Sequence, residues 1–145
     1  MASITRTFRT SNPYEVKFRY CRAVRKGPFI FLSGTTAIDP DTGTLLHPDS
    51  VFDQATQIFN EIARAVEALG GTKEDIVRVR MFVKDPAEQG KVAEALKNSG
   101  FGPVAGKDGN DSSTSGSGPA ATMICGAAFV QEEMKVEIEA EAVVF

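Results

Sequence analysis

A long amphipathic helix constrains the fold of this chain more than any other feature of its sequence. Across residues 50–69, apolar side chains recur at helical spacing on one face and polar side chains occupy the opposite face. Gly70 and Gly71 follow at the point where a helix needs a left-handed residue in order to stop. The apolar face carries Ile58, Ile62, Ala65, Val66 and Leu69. We therefore predict a helix that buries this face against the rest of the domain.

Strand patterns flank the helix on both sides. Alternating or continuous apolar runs predict six strands, at residues 4–9, 14–24, 29–32, 76–84, 119–129 and 134–144. Residues 29–32 are all apolar, and we expect them to form a fully buried strand. A shorter second helix is predicted at residues 87–98. The order β-β-β-α-β-α-β-β predicts an α+β fold with two helices packed on one face of a sheet.

Alternation within the later strands assigns side chains to the two faces of the sheet. One face of residues 76–84 carries Val77, Val79, Met81 and Val83. In the last strand, aliphatic residues at 136, 138, 140 and 142 alternate with Glu137, Glu139 and Glu141. Because apolar residues occupy both sides of several strands, the face without helices needs a cover. We expect sheet-to-sheet packing between subunits, and therefore an oligomer.

A stretch rich in Gly, Ser and Asp at residues 102–118 has almost nothing to bury. It predicts a mobile surface loop within a single domain that covers residues 1–145.

Charge and cysteine spacing limit the partners of this chain. The net charge of −3 does not favour a nucleic-acid partner, which would need Lys and Arg gathered into a stripe. A basic cluster does occur, and we interpret it as a solvated strand face, with an anion site as the alternative. The cluster consists of Arg19, Arg22, Arg25 and Lys26. The two cysteines lack the spacing of a zinc or redox motif, so we predict no metal and no cofactor.

The apolar stretches are shorter than a membrane span, and residues 1–9 lack the apolar core of a signal peptide. We therefore expect a soluble, cytoplasmic protein with no membrane partner. The same N-terminal residues are basic and free of acids, so a mitochondrial location is the alternative.

Four segments, taken in order, carry a family resemblance. They are Ser33-Gly34, the helix from Gln54 to Leu69, Phe82-Val83-Lys84-Asp85 and Val136-Glu137-Ile138-Glu139-Ala140. Their order and spacing resemble the RidA/YjgF family, also known as UK114 and endoribonuclease L-PSP. Asn12-Pro13-Tyr14-Glu15 and Arg22-Ala23-Val24 indicate a divergent subgroup.

The resemblance implies a chorismate-mutase-like fold with a six-stranded mixed sheet, and a homotrimer whose sheets face a central barrel. Three ligand clefts would lie between the subunits. The well-studied members hydrolyse reactive enamines and imines released by pyridoxal-phosphate enzymes, so the implied partner is a small-molecule metabolite. Water adds to the imine carbon and ammonia leaves, which a protein promotes by fixing the substrate, positioning water and moving one proton.

The same resemblance assigns two catalytic candidates. Glu137 matches the glutamate that holds the attacking water, and Ser33 lies at the floor of the pocket. Each has a structural alternative: Glu137 on a solvated or inter-subunit strand face, and Ser33 as the small residue that ends a buried strand.

Four further residues are substrate-binding candidates by resemblance. Tyr14 matches the cleft tyrosine, Gly34 matches the pocket floor, and Ala121 with Thr122 occupies the segment of the carboxylate-binding arginine. For Tyr14, packing at a subunit edge is an equal alternative. Ala121 replaces the arginine itself, and the loss of its fork should weaken carboxylate binding by at least ~2 kcal/mol. Arg22 or Arg80 would supply a replacement cation if either points into the cleft beside Ser33.

Three functions follow from these observations. The first is a deaminase-type hydrolase of small imines or enamines with non-standard substrate recognition. The second is a non-catalytic, metabolite-binding trimer, which explains Ala121 directly. The third is the ribonuclease activity of the older family name, which the acidic charge and the single histidine disfavour.

Overall fold

A six-stranded sheet with helices packed on one face forms the fold. The structure, a computed structural model, describes residues 4–104 and 117–145. Its strands and helices are β1 (Thr5–Phe8), α1 (Pro13–Phe18), β2 (Ala23–Lys26), β3 (Phe29–Thr35), α2 (Val51–Ala68), β4 (Ile76–Val83), α3 (Gln89–Asn98), β5 (Ala120–Cys125) and β6 (Val136–Val143). The strand order is β1-β2-β3-β6-β4-β5, and only the β4–β5 pair among these is parallel. The predicted α+β fold with a mixed sheet is confirmed.

Helix α2 forms where its periodicity predicts. Its N-cap is Ser50, whose side chain accepts a hydrogen bond from the backbone N–H of Asp53 at 3.1 Å. Gly70 follows the C-cap with φ +93°, a conformation that favours glycine. The predicted apolar face is buried, with all five of its residues at 2% exposure or less. This helix and α3 pack on the same face of the sheet.

The predicted face assignment holds for most of β4 and all of β6. Val79, Met81 and Val83 are buried beneath the helices, and so are the four aliphatic residues of β6. Val77 was assigned to the wrong group. A β-bulge between Ile76 and Arg78 shifts the register, so that Ile76 is fully buried in the core and Val77 is half-buried.

The prediction of a strand across residues 14–24 is wrong in its first half. Pro13–Phe18 is a helix, and the strand starts only at Ala23. Asn12 caps the helix by accepting a hydrogen bond from the N–H of Tyr14 at 3.0 Å, and Pro13 occupies the first helical turn. An Asn N-cap followed by Pro is itself a helix-start signal, and here it overrides the period-two pattern.

The strand that was predicted to be fully buried is buried on one face only in a single chain. Ile30 and Leu32 face the helices, whereas Phe29 and Phe31 are 51% and 49% exposed on the opposite face. The strand predicted at residues 119–129 is also shorter than expected. Gly126, at φ +84°, ends it, and the chain leaves the sheet there.

The basic cluster is not the solvated face that was predicted. Arg22 is 5% exposed and Arg25 is 8% exposed, although Arg19 and Lys26 do face solvent. Arg25 donates to the carbonyl of Leu69 at 2.7 Å, which satisfies the C-terminal end of α2. Buried hydrogen-bond acceptors therefore determine where these two cations lie.

Arg22 is buried because α1 supplies a counter-ion. Glu15 of α1 is fully buried and accepts a hydrogen bond from Nε of Arg22 at 3.3 Å. The guanidinium also donates to the carbonyl of Gly34 at 2.9 Å, the hydroxyl of Thr35 at 3.0 Å and the hydroxyl of Tyr20 at 3.3 Å. This arrangement, which we call the Arg22 junction, joins α1 to the end of β3.

The predicted loop at residues 102–118 is described only at its ends. The N–H of Gly118 donates to the carbonyl of Pro103 at 2.9 Å, which holds the two ends together. The prediction that this loop is mobile stays untested, because residues 105–116 lie outside the described residues. None of the described helices combines the length and apolar character that a membrane crossing requires.

Replacing Glu15 with alanine tests the Arg22 junction. The substitution leaves a buried guanidinium without its counter-ion, and we expect the free energy of unfolding to fall by ~3–5 kcal/mol. The control is Lys84→Ala, which breaks the exposed Lys84–Glu132 pair and should cost much less. Urea unfolding at matched protein concentrations measures both variants. Equal losses would mean that the junction adds nothing beyond a surface ion pair.

Candidate functional site

A small cavity opens on the sheet face that carries no helix. Its volume is about 230 Å³. It is lined by Gly34 of β3, Phe82 of β4, Glu137 and Glu139 of β6, and residues 127–129 of the segment after β5. The Arg22 junction lies against its floor, because the carbonyl of Gly34 accepts from Arg22. The cavity combines ionisable groups with apolar walls, as ligand sites commonly do.

A bulge in β3 builds the floor of this cavity. Leu32 pairs with Ala140 and Thr35 with Ile138, so Ser33 and Gly34 together face one residue of β6. A Cβ on Gly34 would overlap Oε1 of Glu137 and lie 3.2 Å from its Cδ. Glycine at this position therefore lets the Glu137 carboxyl lie directly against the backbone of β3.

The position of Glu137 changes its ionisation. Burial raises the pKa of the Glu137 carboxyl, the positive charge of Arg22 opposes this change, and the negative charge of Glu139 adds to it. A carboxyl whose pKa is raised towards neutrality is a better proton carrier near pH 7 than an ordinary glutamate. The environment of Glu137 thus suits it to general acid–base chemistry.

The Ser33 hydroxyl is directed away from this chemistry. It donates to the carbonyl of Cys21 at 2.7 Å, and Ser33 is not among the residues that line the cavity. Its backbone forms the bulge beside Gly34. Within one chain, Ser33 therefore supports the cavity floor.

Tyr14 contacts the segment that borders the cavity. Its hydroxyl accepts a hydrogen bond from the side-chain amide of Gln131 at 2.8 Å, two residues after Phe129. Its ring stacks on Phe18 with centroids 6.3 Å apart. Tyr14 is near the cavity wall without lining the cavity itself.

Ala121 and Thr122 are exposed on β5 and lie apart from Glu137 within one chain. Ala121 pairs with Val79, which is buried under the helices, so Ala121 and Glu137 are on opposite faces of the sheet. Thr122 pairs with Arg80, one step along the open face. A site that includes Ala121 together with Glu137 needs more than one copy of the chain.

The structure gives both candidate replacement cations other partners. All three guanidinium nitrogens of Arg22 donate to protein atoms inside the junction. Arg80 lies on the open face, with Nη1 3.2 Å from Oε1 of Glu139 and 3.0 Å from Oε1 of Glu141. Neither residue is part of the cavity lining.

Several residues of the site were missed in the sequence. Phe82 and Phe129 supply its aromatic walls. Outside the lining, Gln54 holds the segment that leads into β6. The Gln54 amide donates to the carbonyl of Glu133 at 2.9 Å, and its oxygen accepts from the N–H of Lys135 at 2.9 Å. A glutamine on the core-facing side of α2 was the available signal for this role.

A larger cavity of about 590 Å³ lies between α3 and the start of β5. Lys97 is its one ionisable residue among those described, so it offers less chemistry than the Glu137 cavity. The described residues contain no group of three or more His, Cys, Asp or Glu placed to hold a metal ion.

Sequence comparisons identify related proteins. The model of the family described as endoribonuclease L-PSP matches residues 10–144. The chain is 33% identical over 75 residues to a RutC family protein of Pyrococcus horikoshii, covering 52% of this chain and 59% of that protein. It is 34% identical over 82 residues to the 2-iminobutanoate/2-iminopropanoate deaminase of Escherichia coli (strain K12), covering 57% and 62%. The chain thus spans less than two thirds of the length of these curated relatives.

Solved structures share the fold along nearly the whole chain. Rv2704 of Mycobacterium tuberculosis, a member of the YjgF/YER057c/UK114 family, has a TM-score of 0.75 at 26% identity and covers 97% of this chain and 100% of its own. The YjgF gene product of E. coli has a TM-score of 0.70 at 29% identity, with coverage of 95% and 98%.

The raised pKa of Glu137 predicts a stability that depends on pH. The folded protein binds this proton more tightly than the unfolded chain does, so ionised Glu137 destabilises the fold. The cost is absent below the unfolded-state pKa of glutamate and fully present above the folded-state pKa. We expect Glu137→Gln to raise the urea midpoint at about pH 8, with the gain shrinking towards about pH 4.

The control variant should change the urea midpoint in the opposite direction. A hydrogen bond from Lys84 lowers the pKa of Glu132, so Glu132→Gln should lower the urea midpoint at high pH, and this loss should fade as the pH falls. A gain for Glu137→Gln that is equal at both pH values would contradict the assignment.

Proposed function

This chain belongs to the endoribonuclease L-PSP family, also called the RidA/YjgF family, and we propose that it hydrolyses small reactive imines or enamines at the Glu137 cavity. The observation that carries the proposal is the half-buried Glu137 carboxyl, whose pKa is raised and which lies against Gly34 in an open cavity. The similarity to a 2-iminobutanoate/2-iminopropanoate deaminase supports the same reaction class.

In the proposed reaction Glu137 moves protons from water to nitrogen. Its carboxylate takes a proton from water as the water oxygen bonds to the carbon of the protonated imine, which gives a carbinolamine. The same carboxyl then returns this proton to nitrogen and the C–N bond breaks. The carboxylate passes the remaining hydroxyl proton to the departing ammonia, so the products are a carbonyl compound and ammonium. General acid–base help of this kind contributes about 10²–10⁴-fold. Ser33 would act by holding the bulge that presents Gly34 to the carboxyl.

We further propose a homotrimer whose clefts lie between the subunits. The open face of the sheet exposes Phe29 and Phe31, which suits contact with a second sheet. Such an arrangement would let a neighbouring copy complete the cavity around Glu137, and the family resemblance implies that Tyr14, Ala121 and Thr122 belong to the completed cleft. The remaining partner would be a small-molecule metabolite.

For the cellular compartment and for nucleic acid as a partner, we propose what the sequence predicts. We propose a cytoplasmic location, with the mitochondrion as the alternative that the basic N-terminus raises. The net charge of −3 continues to disfavour a nucleic-acid substrate, so endoribonuclease activity is the weakest candidate.

A second candidate is a non-catalytic trimer that binds a metabolite. It is favoured by Ala121, which lacks the guanidinium fork that would hold a substrate carboxylate in the reacting position. The cavity itself would serve binding as well as catalysis.

Hydrolysis of freshly generated imines distinguishes the two candidates. We expect the wild-type protein to accelerate hydrolysis of at least one imine, and Glu137→Gln to reduce that acceleration by ~100-fold or more because it removes the proton carrier. Ala121→Arg should increase the rate with 2-iminopropionate by restoring a carboxylate fork. The readout is trapping of the remaining imine with semicarbazide.

Two results would contradict the hydrolase. One is the absence of acceleration by the wild type towards every imine tested, and the other is a rate that Glu137→Gln does not change. Activity that appears only in Ala121→Arg would favour the binding trimer.

Assembly is tested by placing a charge on the open face. Phe31→Asp should convert a trimer to monomers, because each copy would bury an unpaired carboxylate in the interface. The matched control is Phe145→Asp at the fully exposed C-terminus, which should leave the trimer intact. Analytical ultracentrifugation measures both. A wild-type monomer, or a trimer that survives Phe31→Asp, would contradict the proposed assembly.

A further inference from the structure

The Glu137 cavity has an acidic and aromatic lining. Glu137 and Glu139 bring two carboxyl groups to it, and Phe82 and Phe129 bring two rings. The other lining residues are Gly34, Ala127 and Ala128, which are small and leave space. Carboxylates attract a cation, and aromatic rings favour an apolar or cationic group over an anion.

Arg22 and Arg80 do not offset the acidic character of the lining, because both are engaged by protein groups. Arg22 lies beneath the floor, where Glu15 is its counter-ion and where the carbonyl of Gly34 and the hydroxyls of Thr35 and Tyr20 accept its other hydrogen bonds. It is 5% exposed, so a ligand in the cavity has little access to it. Arg80 shares its charge between Glu139 and Glu141. The described surface that faces a ligand is therefore negative.

From this lining we infer that the site takes imines that carry no carboxylate, in their neutral or protonated form, with an apolar or aromatic substituent. The inference rests on the proposed hydrolase and names its substrate class. The iminium nitrogen would lie towards Glu137 and Glu139, and the substituent would lie between Phe82 and Phe129. A substrate carboxylate would instead meet two carboxyl groups of the same charge, and this repulsion strongly disfavours its binding.

The chemistry balances without another reactant. A protonated imine and one water give an aldehyde and an ammonium ion, with the water oxygen bonding to carbon and the C–N bond breaking. Glu137 carries both protons of the water to nitrogen, one as the water adds and one as the carbonyl forms, and returns to its starting state. Oxidation of a primary amine is the class of reaction that supplies such an imine.

A matched pair of imines tests the substrate class. An amine oxidase acting on 2-phenylethylamine and an amino-acid oxidase acting on phenylalanine generate imines that differ only by a carboxylate. We expect the pure protein to favour the imine without the carboxylate by about 100-fold in kcat/KM, measured by semicarbazide trapping. Equal rates, or faster hydrolysis of the carboxylate-bearing imine, would overturn the inference and leave the hydrolase standing.

Binding of stable ligands separates the substrate class from catalysis. Calorimetry should detect 2-phenylethylammonium and should detect phenylacetate at least 10-fold more weakly, because only the first complements the carboxylates. If neither imine is hydrolysed but 2-phenylethylammonium still binds selectively, the hydrolase fails and the ligand class stands. Tighter binding of phenylacetate, or no binding of either compound, would overturn the ligand class.

Two variants test whether the cavity lining sets the preference. Glu139 and Glu141 both contact Arg80, but only Glu139 lines the cavity. Glu139→Gln should reduce the preference for the carboxylate-free imine by about 10-fold, and Glu141→Gln should leave it unchanged. A loss of the same size in both variants would assign the preference to the general charge of the sheet and overturn the role of the cavity.

Discussion

The buried guanidinium of Arg22 holds together the parts of the chain that form the site. It donates to Glu15 of α1, to the backbone of Gly34 and to Thr35 at the end of β3. A buried ion pair of this kind contributes little net stability compared with an apolar packing, but it requires one arrangement of its partners. Because Arg22 is used in this way, the charge that a ligand meets is set by Glu137 and its neighbours.

The elements with a regular apolar pattern could be predicted from the sequence. The places where a local signal, such as a helix cap, prevails over that pattern could not. Helix α2 and strand β6 follow regular patterns, and the apolar face predicted for each is buried in the core. Residues 14–24 also show period two, but the Asn12–Pro13 cap starts a helix there. Two signals competed in that segment. The helix buries Glu15 against Arg22, seven residues further along the chain, and the alternation of apolar residues does not record that contact.

The sequence could suggest which residues form the candidate site, but it could not predict how they are arranged. The family resemblance pointed to Gly34 and Glu137, which the structure places in contact. The bulge that brings them together is one extra residue in β3, and the pattern of apolar residues in the sequence does not predict it. Phe129 lies in a segment that was predicted as strand, so its place in the cavity wall could not be foreseen. Ala121, in place of the family arginine, raised the question of how a substrate is recognised, and the acidic lining is our proposed answer.

The most direct test is a crystal structure of the assembled protein with 2-phenylethylamine bound. We predict that the ammonium nitrogen lies within hydrogen-bond distance of the Glu137 carboxyl, with the phenyl ring between Phe82 and Phe129. That result would place a cationic, carboxylate-free ligand at the cavity on the open face of the sheet. A Lys or Arg of a neighbouring copy that fills the cavity and pairs with Glu137 would contradict the account, because the site would then present a cation to its ligand.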